Sequence, residues 1–167
     1  MRILLERRYN VRAHFEEHAA PLEAAREGRP ALLIGDAAID AILSCDPASV
    51  YDLGRLWHDW TGEQTVFAVW AARRAIYDEN PDAVRACMHA LTDAYTWARG
   101  HMDRVVAQAN SVYARPEGFY ERYYAKLNFT FHSAAQRGLA AYCRELHAIG
   151  ALNEVPPFVP EVIGVSR

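Results

Sequence analysis

The sequence predicts an α/β protein in which a parallel or mixed sheet is followed by a mostly helical C-terminal part. Two observations support this fold class. Over residues 1–75, short apolar runs alternate with segments of helical spacing, an order typical of βαβ units. From residue 76 onward, apolar residues recur every three or four positions, which indicates amphipathic helices. We therefore expect an α/β ligand-binding portion at 1–75 and a helical portion at 76–167 that packs on it.

The predicted strands differ in their patterns. Residues 11–15 alternate between apolar and polar side chains, which indicates a strand with one buried face. Residues 31–34 and 65–71 are apolar runs, as expected for strands covered on both faces. A shorter strand is predicted at 50–53 and an extended piece at 127–131.

Helices are predicted where apolar residues follow helical spacing and end signals flank them. Asn10 and Gly150 can take the left-handed conformation that follows a helix. Asn80 is the predicted cap and Pro81 the first-turn residue of the longest helix, in which Gly100 is a plausible kink. The predicted helices span residues 1–9, 22–26, 37–43, 55–60, 81–110, 119–126 and 133–149.

Composition and charge exclude several function classes. The net charge is −3 and no basic stripe is present, so we expect no nucleic-acid partner. No apolar run is long enough for a signal peptide or a membrane span. The cysteines, Cys45, Cys87 and Cys143, form no Cys-x-x-Cys pair and are typical of buried residues in a reducing, cytoplasmic compartment. The seven histidines contain no His-Glu-x-x-His motif, and we predict neither a metal site nor a cofactor.

Asp36 is the most informative acidic residue. It follows the apolar run 31–34 and precedes a predicted helix, the position at which open α/β sheets bind ligands. Gly35 would let a ligand approach the backbone, and the amides from Ala37 onward would face an anion. The alternative is that Asp36 is only the N-cap of its helix. No Gly-x-Gly-x-x-Gly, P-loop or Gly-x-Ser-x-Gly motif is present, so these residues alone name no reaction.

Three ordered segments carry a family resemblance. They are ALLIGDAAI at 31–39, VYDLG at 50–54, and WHDWTG at 57–62 running into VFAVWA at 66–71. In this order and spacing they resemble the second half of chorismate dehydratases of the futalosine route to menaquinone. One departure is Glu63-Gln64-Thr65, where the family commonly has hydrophobic residues and a proline.

The resemblance implies a two-lobed, type II periplasmic-binding-protein-like fold, of which this chain is the C-terminal portion and the N-terminal lobe is missing. The implied activity is that of a lyase, which dehydrates chorismate to 3-[(1-carboxyvinyl)oxy]benzoate without a cofactor. The expected substrate-binding residues are Gly35, Asp36, Ala37, Phe67 and Trp70. The catalytic residues are expected in the missing lobe, so we expect the chain alone to be inactive.

Two alternatives remain open within the resemblance. One is the sister family, which forms dihydroxynaphthoate and shares the implied fold. The other is a non-catalytic module of the same fold that binds small anions. The expected partner in the main interpretation is chorismate, with neither nucleic acid nor membrane. Self-association into a homo-oligomer is a further expectation, because unpaired strand edges and apolar surface favour it.

Overall fold

The structure, a computed structural model, describes residues 1–156, and within them the regular elements are all helical. A π-helical turn at Leu4–Arg8 and a 3₁₀ turn at Pro47–Ser49 accompany the α-helices. These α-helices are α1 (Pro21–Arg26), α2 (Asp36–Ser44), α3 (Leu53–Thr61), α4 (Arg74–Glu79), α5 (Pro81–Gly100), α6 (Met102–Val112), α7 (Phe119–Lys126) and α8 (Ser133–Ala148).

The predicted α/β, periplasmic-binding-protein-like fold is wrong, because residues 1–156 contain no β-strand. The apolar runs that were expected to be buried strands are irregular, and Ile34 and Phe67 are 89% and 82% exposed. The physical reason lies in the hydrogen bonds of a strand, which must come from a neighbouring strand. Apolar periodicity indicates only that these residues locally prefer a strand conformation. In the described chain, no neighbouring strand lies beside these runs.

The helix predictions agree with the structure more closely. The predicted helices at 22–26, 55–60, 119–126 and 133–149 correspond to α1, α3, α7 and α8. Asn10 and Gly150 have positive φ angles of 53° and 68°, as predicted for residues that follow a helix. Asp36 does not cap α2, since Gly35 occupies the N-cap position and Asp36 is the first helical residue.

The longest predicted helix, 81–110, is two helices in the structure. Asn80 caps α5 as predicted, its side-chain oxygen accepting a hydrogen bond from the Ala83 amide at 3.0 Å. α5 ends at Gly100, and His101 has φ −134° and ψ 44°, outside the helical region. The His101 imidazole Nδ1 lies 2.8 Å from the carbonyl oxygen of Trp97, so the side chain binds the last turn of α5. The predicted kink at Gly100 is thus a complete break.

The first of two compact units contains Met1–Phe67 together with the described residues from Ser133 onward. Its core forms where Ile3, Trp57 and Ala141 pack together. Trp57 is only 4% exposed, and its ring makes an edge contact with the Tyr142 ring at 5.7 Å. Because a large aromatic ring removes much apolar area from water, Trp57 is the main anchor of α3 in this unit.

The second unit contains Ala68–His132, and so α4 to α7. Neighbouring helices pack in pairs, α4 on α5 and α6 on α7. Rings stabilise the α6–α7 turn, where the Arg115 guanidinium lies 4.1 Å from the centre of the Tyr113 ring. None of the described residues of this unit is fully buried, so its apolar side chains surround open space instead of a closed core.

Candidate functional site

The second unit contains a cavity of about 280 Å³ whose lining is mostly apolar and aromatic. Small-molecule sites are typically concave and apolar with a few polar groups, and this cavity has that composition. The side chains come from α5, from α6 and from the chain before and after them. They are Trp70, Leu91, Ala94, Tyr95, Ala98, Arg99, Met102, Val105, Tyr124, Leu127 and Phe129.

The helical repeat explains why α5 and α6 supply the walls. Leu91, Tyr95 and Ala98 recur at intervals of four and three, so they share one face of α5. Met102 and Val105 continue the same spacing in α6, although the helix is interrupted at His101. The break therefore leaves the apolar stripe continuous along the cavity.

Three aromatic rings form one side of the cavity. The Trp70 and Phe129 rings are stacked, with centroids 6.3 Å apart and planes 24° apart. The Tyr95 ring meets the Phe129 ring at 5.2 Å and 58°. Trp70 and Phe129 are nevertheless 56% and 54% exposed, so their faces can still take up a planar ligand.

The polar groups of the cavity are few. Among the described residues that line it, Arg99 is the only charged one, and within residues 1–156 it makes no ion pair. Burial raises the pKa of the Tyr124 hydroxyl above its ordinary value of 10.0, and the nearby Tyr120 and Tyr123 raise it further. A cation and a neutral hydroxyl can together bind a carboxylate and donate a hydrogen bond to an oxygen.

The predicted site residues occupy different places. Trp70 lines this cavity. Phe67 belongs to the first unit, where its ring lies beside Gly54. Asp36 and Ala37 are the first residues of α2, also in the first unit, and the N-cap Gly35 has a positive φ of 65° that favours glycine. That Gly35, Asp36, Ala37, Phe67 and Trp70 bind substrate stays a prediction.

The lining residues that the sequence interpretation missed include Tyr95, Arg99, Tyr124 and Phe129. Tyr95 and Tyr124 look like core positions, because they share the spacing of their apolar neighbours. Arg99 carried a usable signal, since it lies four residues after Tyr95 on an otherwise apolar stripe. A charge on an apolar helix face indicates either a helix end or a polar ligand nearby, and α5 ends one residue later.

A larger cleft of about 610 Å³ lies in the first unit, between the start of the chain, the segment 12–15 and the end of α8. Two of its charged groups pair with each other, because Arg2 Nε donates to Glu6 Oε1 at 2.6 Å. Exposed ion pairs of this kind are typical of solvated surface. The aromatic cavity is therefore the stronger candidate site.

His14 and His18 stand four residues apart with Glu17 between them, a His-x-x-Glu-His spacing that the sequence interpretation overlooked. This spacing would hold a metal ion if the segment were helical, but residues 11–18 form no helix. The His18 Nδ1 instead accepts a hydrogen bond from the Ala20 amide at 3.1 Å. Across the described part of the chain, no group of three or more His, Cys, Asp or Glu side chains could hold a metal ion.

No helix within residues 1–156 is both long enough and apolar enough to cross a membrane. Residues 1–148, nearly the whole described chain, match the model of a protein family that is described as menaquinone biosynthesis.

Proposed function

Because the chain belongs to the menaquinone biosynthesis family, we propose that it acts in this pathway by dehydrating chorismate to 3-[(1-carboxyvinyl)oxy]benzoate. The observation that carries the proposal is the aromatic cavity of the second unit, in which flat ring faces and a single cation occur together. The ordered segments at 31–39, 50–54, 57–62 and 66–71 support the same activity by their resemblance to chorismate dehydratases.

The reaction needs little from the protein. One ring proton leaves from the carbon beside the hydroxyl group, the hydroxyl departs with the C–O bonding electrons, and the two form water. The ring becomes aromatic, so the stability of the product drives the elimination. Orientation of the substrate, exclusion of water and one assisted proton transfer are therefore the main contributions of the site.

The cavity suits the ring and one carboxylate of the substrate. The stacked rings of Trp70 and Phe129 offer a surface for a planar six-membered ring. We assign Arg99 to a substrate carboxylate, since its guanidinium has no other ion-pair partner within residues 1–156. As the product ring is flatter than the substrate ring, stacking also favours the progress of the reaction.

We assign Tyr124 to the departing hydroxyl. Since its pKa is raised, the phenol stays protonated at neutral pH and can donate a hydrogen bond to an oxygen that gains negative charge. Its role is positional and electrostatic, and no side chain is assigned as the base that removes the ring proton.

Gly35, Asp36, Ala37 and Phe67 remain part of the proposal as substrate-binding residues. The Asp36→Asn variant tests this part, since it removes the carboxylate charge and keeps the size of the side chain. We expect unchanged folding and reduced turnover. If both folding and turnover equal those of the wild type, Asp36 is not a substrate-binding residue.

The activity is tested on the polypeptide encoded by the complete gene. It is incubated with chorismate, and the products are analysed by liquid chromatography and mass spectrometry. A protein-dependent product that has lost one water and co-elutes with synthetic 3-[(1-carboxyvinyl)oxy]benzoate supports the proposal. Binding of chorismate without turnover would instead indicate a non-catalytic anion-binding module, and conversion of a later pathway intermediate to dihydroxynaphthoate would indicate the sister activity.

A further inference from the structure

The apolar segment 65–71, with the sequence TVFAVWA, is unusually open to solvent. Phe67, Val69 and Trp70 are 82%, 49% and 56% exposed. No amide or carbonyl of this segment forms a hydrogen bond with another backbone group of the described chain. Aromatic and β-branched residues without charge or proline are the composition that pairs most readily into strands. The segment therefore lacks a partner of the kind that its composition favours.

Opposite charges flank the segment symmetrically. Glu63 precedes Ala68 by five residues and Arg73 follows it by five. Arg73 is exposed and makes no ion pair within residues 1–156. Glu63 has one distant partner, with its Oε2 3.9 Å from the Nε of Arg137. This arrangement is self-complementary, because an antiparallel copy of the segment would bring each Glu63 opposite an Arg73.

We propose that segment 65–71 pairs in antiparallel register with the same segment of a second copy of this chain, with Ala68 on the two-fold axis. In this register Val66 opposes Trp70, Phe67 opposes Val69, and the small Ala68 opposes itself. Cross-strand pairs of aromatic and β-branched residues stabilise a ladder, and so do opposite charges. A contact of this type is isologous and closes at two copies.

Arg74, the residue after Arg73, does not fit the role of pairing with Glu63 of the second copy. The Arg74 guanidinium lies over the Tyr77 ring at 6.0 Å, and Arg74 is the first residue of α4. Arg73 precedes the helix with φ −64° and ψ 137°, a backbone conformation compatible with a strand. Arg73 and Arg74 therefore form a matched pair for a charge-reversal experiment.

Sedimentation equilibrium of the full chain over a range of concentrations tests the charge register. We expect a reversible dimer in the wild type. Arg73→Glu should weaken dimerisation about tenfold, since two like-charged pairs arise in each dimer. Arg74→Glu should change it by no more than about twofold, and the double variant Glu63→Arg with Arg73→Glu should restore the wild-type affinity. A monomeric wild type, equal effects of the two single reversals or a lack of restoration would overturn the proposal.

Disulfide trapping tests the axis independently of stability. In a chain whose Cys45, Cys87 and Cys143 are replaced by serine, Ala68→Cys should form a covalent dimer on mild oxidation. Directly opposed residues of antiparallel strands have Cα atoms about 4.5–5.5 Å apart, within the range that a disulfide spans. Ala71→Cys is the control, because the two copies of position 71 would lie about 20 Å apart along the ladder. Equal cross-linking at both positions, or cross-linking only at position 71, would contradict the register.

Discussion

Arg99 brings the one charge among the described residues of the aromatic cavity, so its removal separates ion pairing from ring stacking. We expect Arg99→Gln to weaken binding of 3-[(1-carboxyvinyl)oxy]benzoate to the 167-residue chain about tenfold, the loss of one charge-assisted hydrogen bond at an exposed position. Isothermal titration calorimetry measures the change. Arg104→Gln is the control, because Arg104 is also exposed but does not line the cavity. Equal affinities of the two variants would show that Arg99 does not contribute to binding of this ligand.

Tyr124 makes the stability of the protein depend on pH in the alkaline range. Its pKa in the folded chain is above the ordinary value of 10.0, so the unfolded chain loses this proton at a lower pH than the folded chain does. The contribution of the neutral phenol is fully present below pH 10.0 and declines as the pH rises above it. Urea unfolding between about pH 9 and pH 11 should show a steeper loss of stability for the wild type than for Tyr124→Phe. Identical slopes would contradict the raised pKa.

α8 packs closely against Gln64 because residue 138 is a glycine and has no side chain. Gly138 lies within α8 and is buried, and a Cβ at this position would overlap the Gln64 carbonyl oxygen. We expect Gly138→Ala to lower the free energy of unfolding by about 1–3 kcal/mol, although alanine is the better helix former. Gly100→Ala, where nothing lies within 4 Å of the added Cβ, should be neutral or stabilising. Chemical denaturation of both variants checks this, and a neutral Gly138→Ala would show that the contact relaxes freely.

Helices were predictable from the sequence because their hydrogen bonds and their end signals are local. Asn80 with Pro81 marked the start of α5, and Gly150, which has a positive φ of 68°, marked the end of α8. Asp52 caps α3 through bonds to the amides of Gly54 and Arg55 at 2.9 and 3.1 Å, a signal that was read as part of a strand. Strands were not predictable in the same way. The composition of a run such as 65–71 indicates a preference for the strand conformation, but the hydrogen bonds of a strand depend on a partner elsewhere in the structure.

The candidate site was predictable only in part for a related reason. Trp70 was identified through the family resemblance, and it does line the cavity. Tyr95 and Phe129 were not, because 34 residues separate them in the chain and their ring contact of 5.2 Å comes from tertiary structure alone. Periodicity placed Tyr95 on the correct face of α5, yet it could not show that this face borders a cavity.

At the scale of the molecule, buried side chains are concentrated in the first unit. Ile3, Trp57 and Ala141 pack there, whereas none of the described residues of Ala68–His132 is fully buried. Local stability follows the number of buried apolar contacts. Hydrogen exchange should therefore show stronger amide protection in α3 and α8 than in α5, despite the greater length of α5. Equal or stronger protection of α5 would mean that the second unit is as well packed as the first.

We propose that the aromatic cavity binds the substrate of a chorismate dehydratase, and the turnover of a matched pair of tryptophan variants tests this most directly. Trp70 lines the cavity, while Trp97 is similarly exposed at 50% and stacks on His101 away from the lining. In the polypeptide encoded by the complete gene, Trp70→Ala should lower kcat/KM for chorismate about tenfold or more, the loss of one aromatic stacking contact. Trp97→Ala should stay close to the wild type. Equal kcat/KM values for the two variants, or a wild type that leaves chorismate unchanged, would contradict the claim.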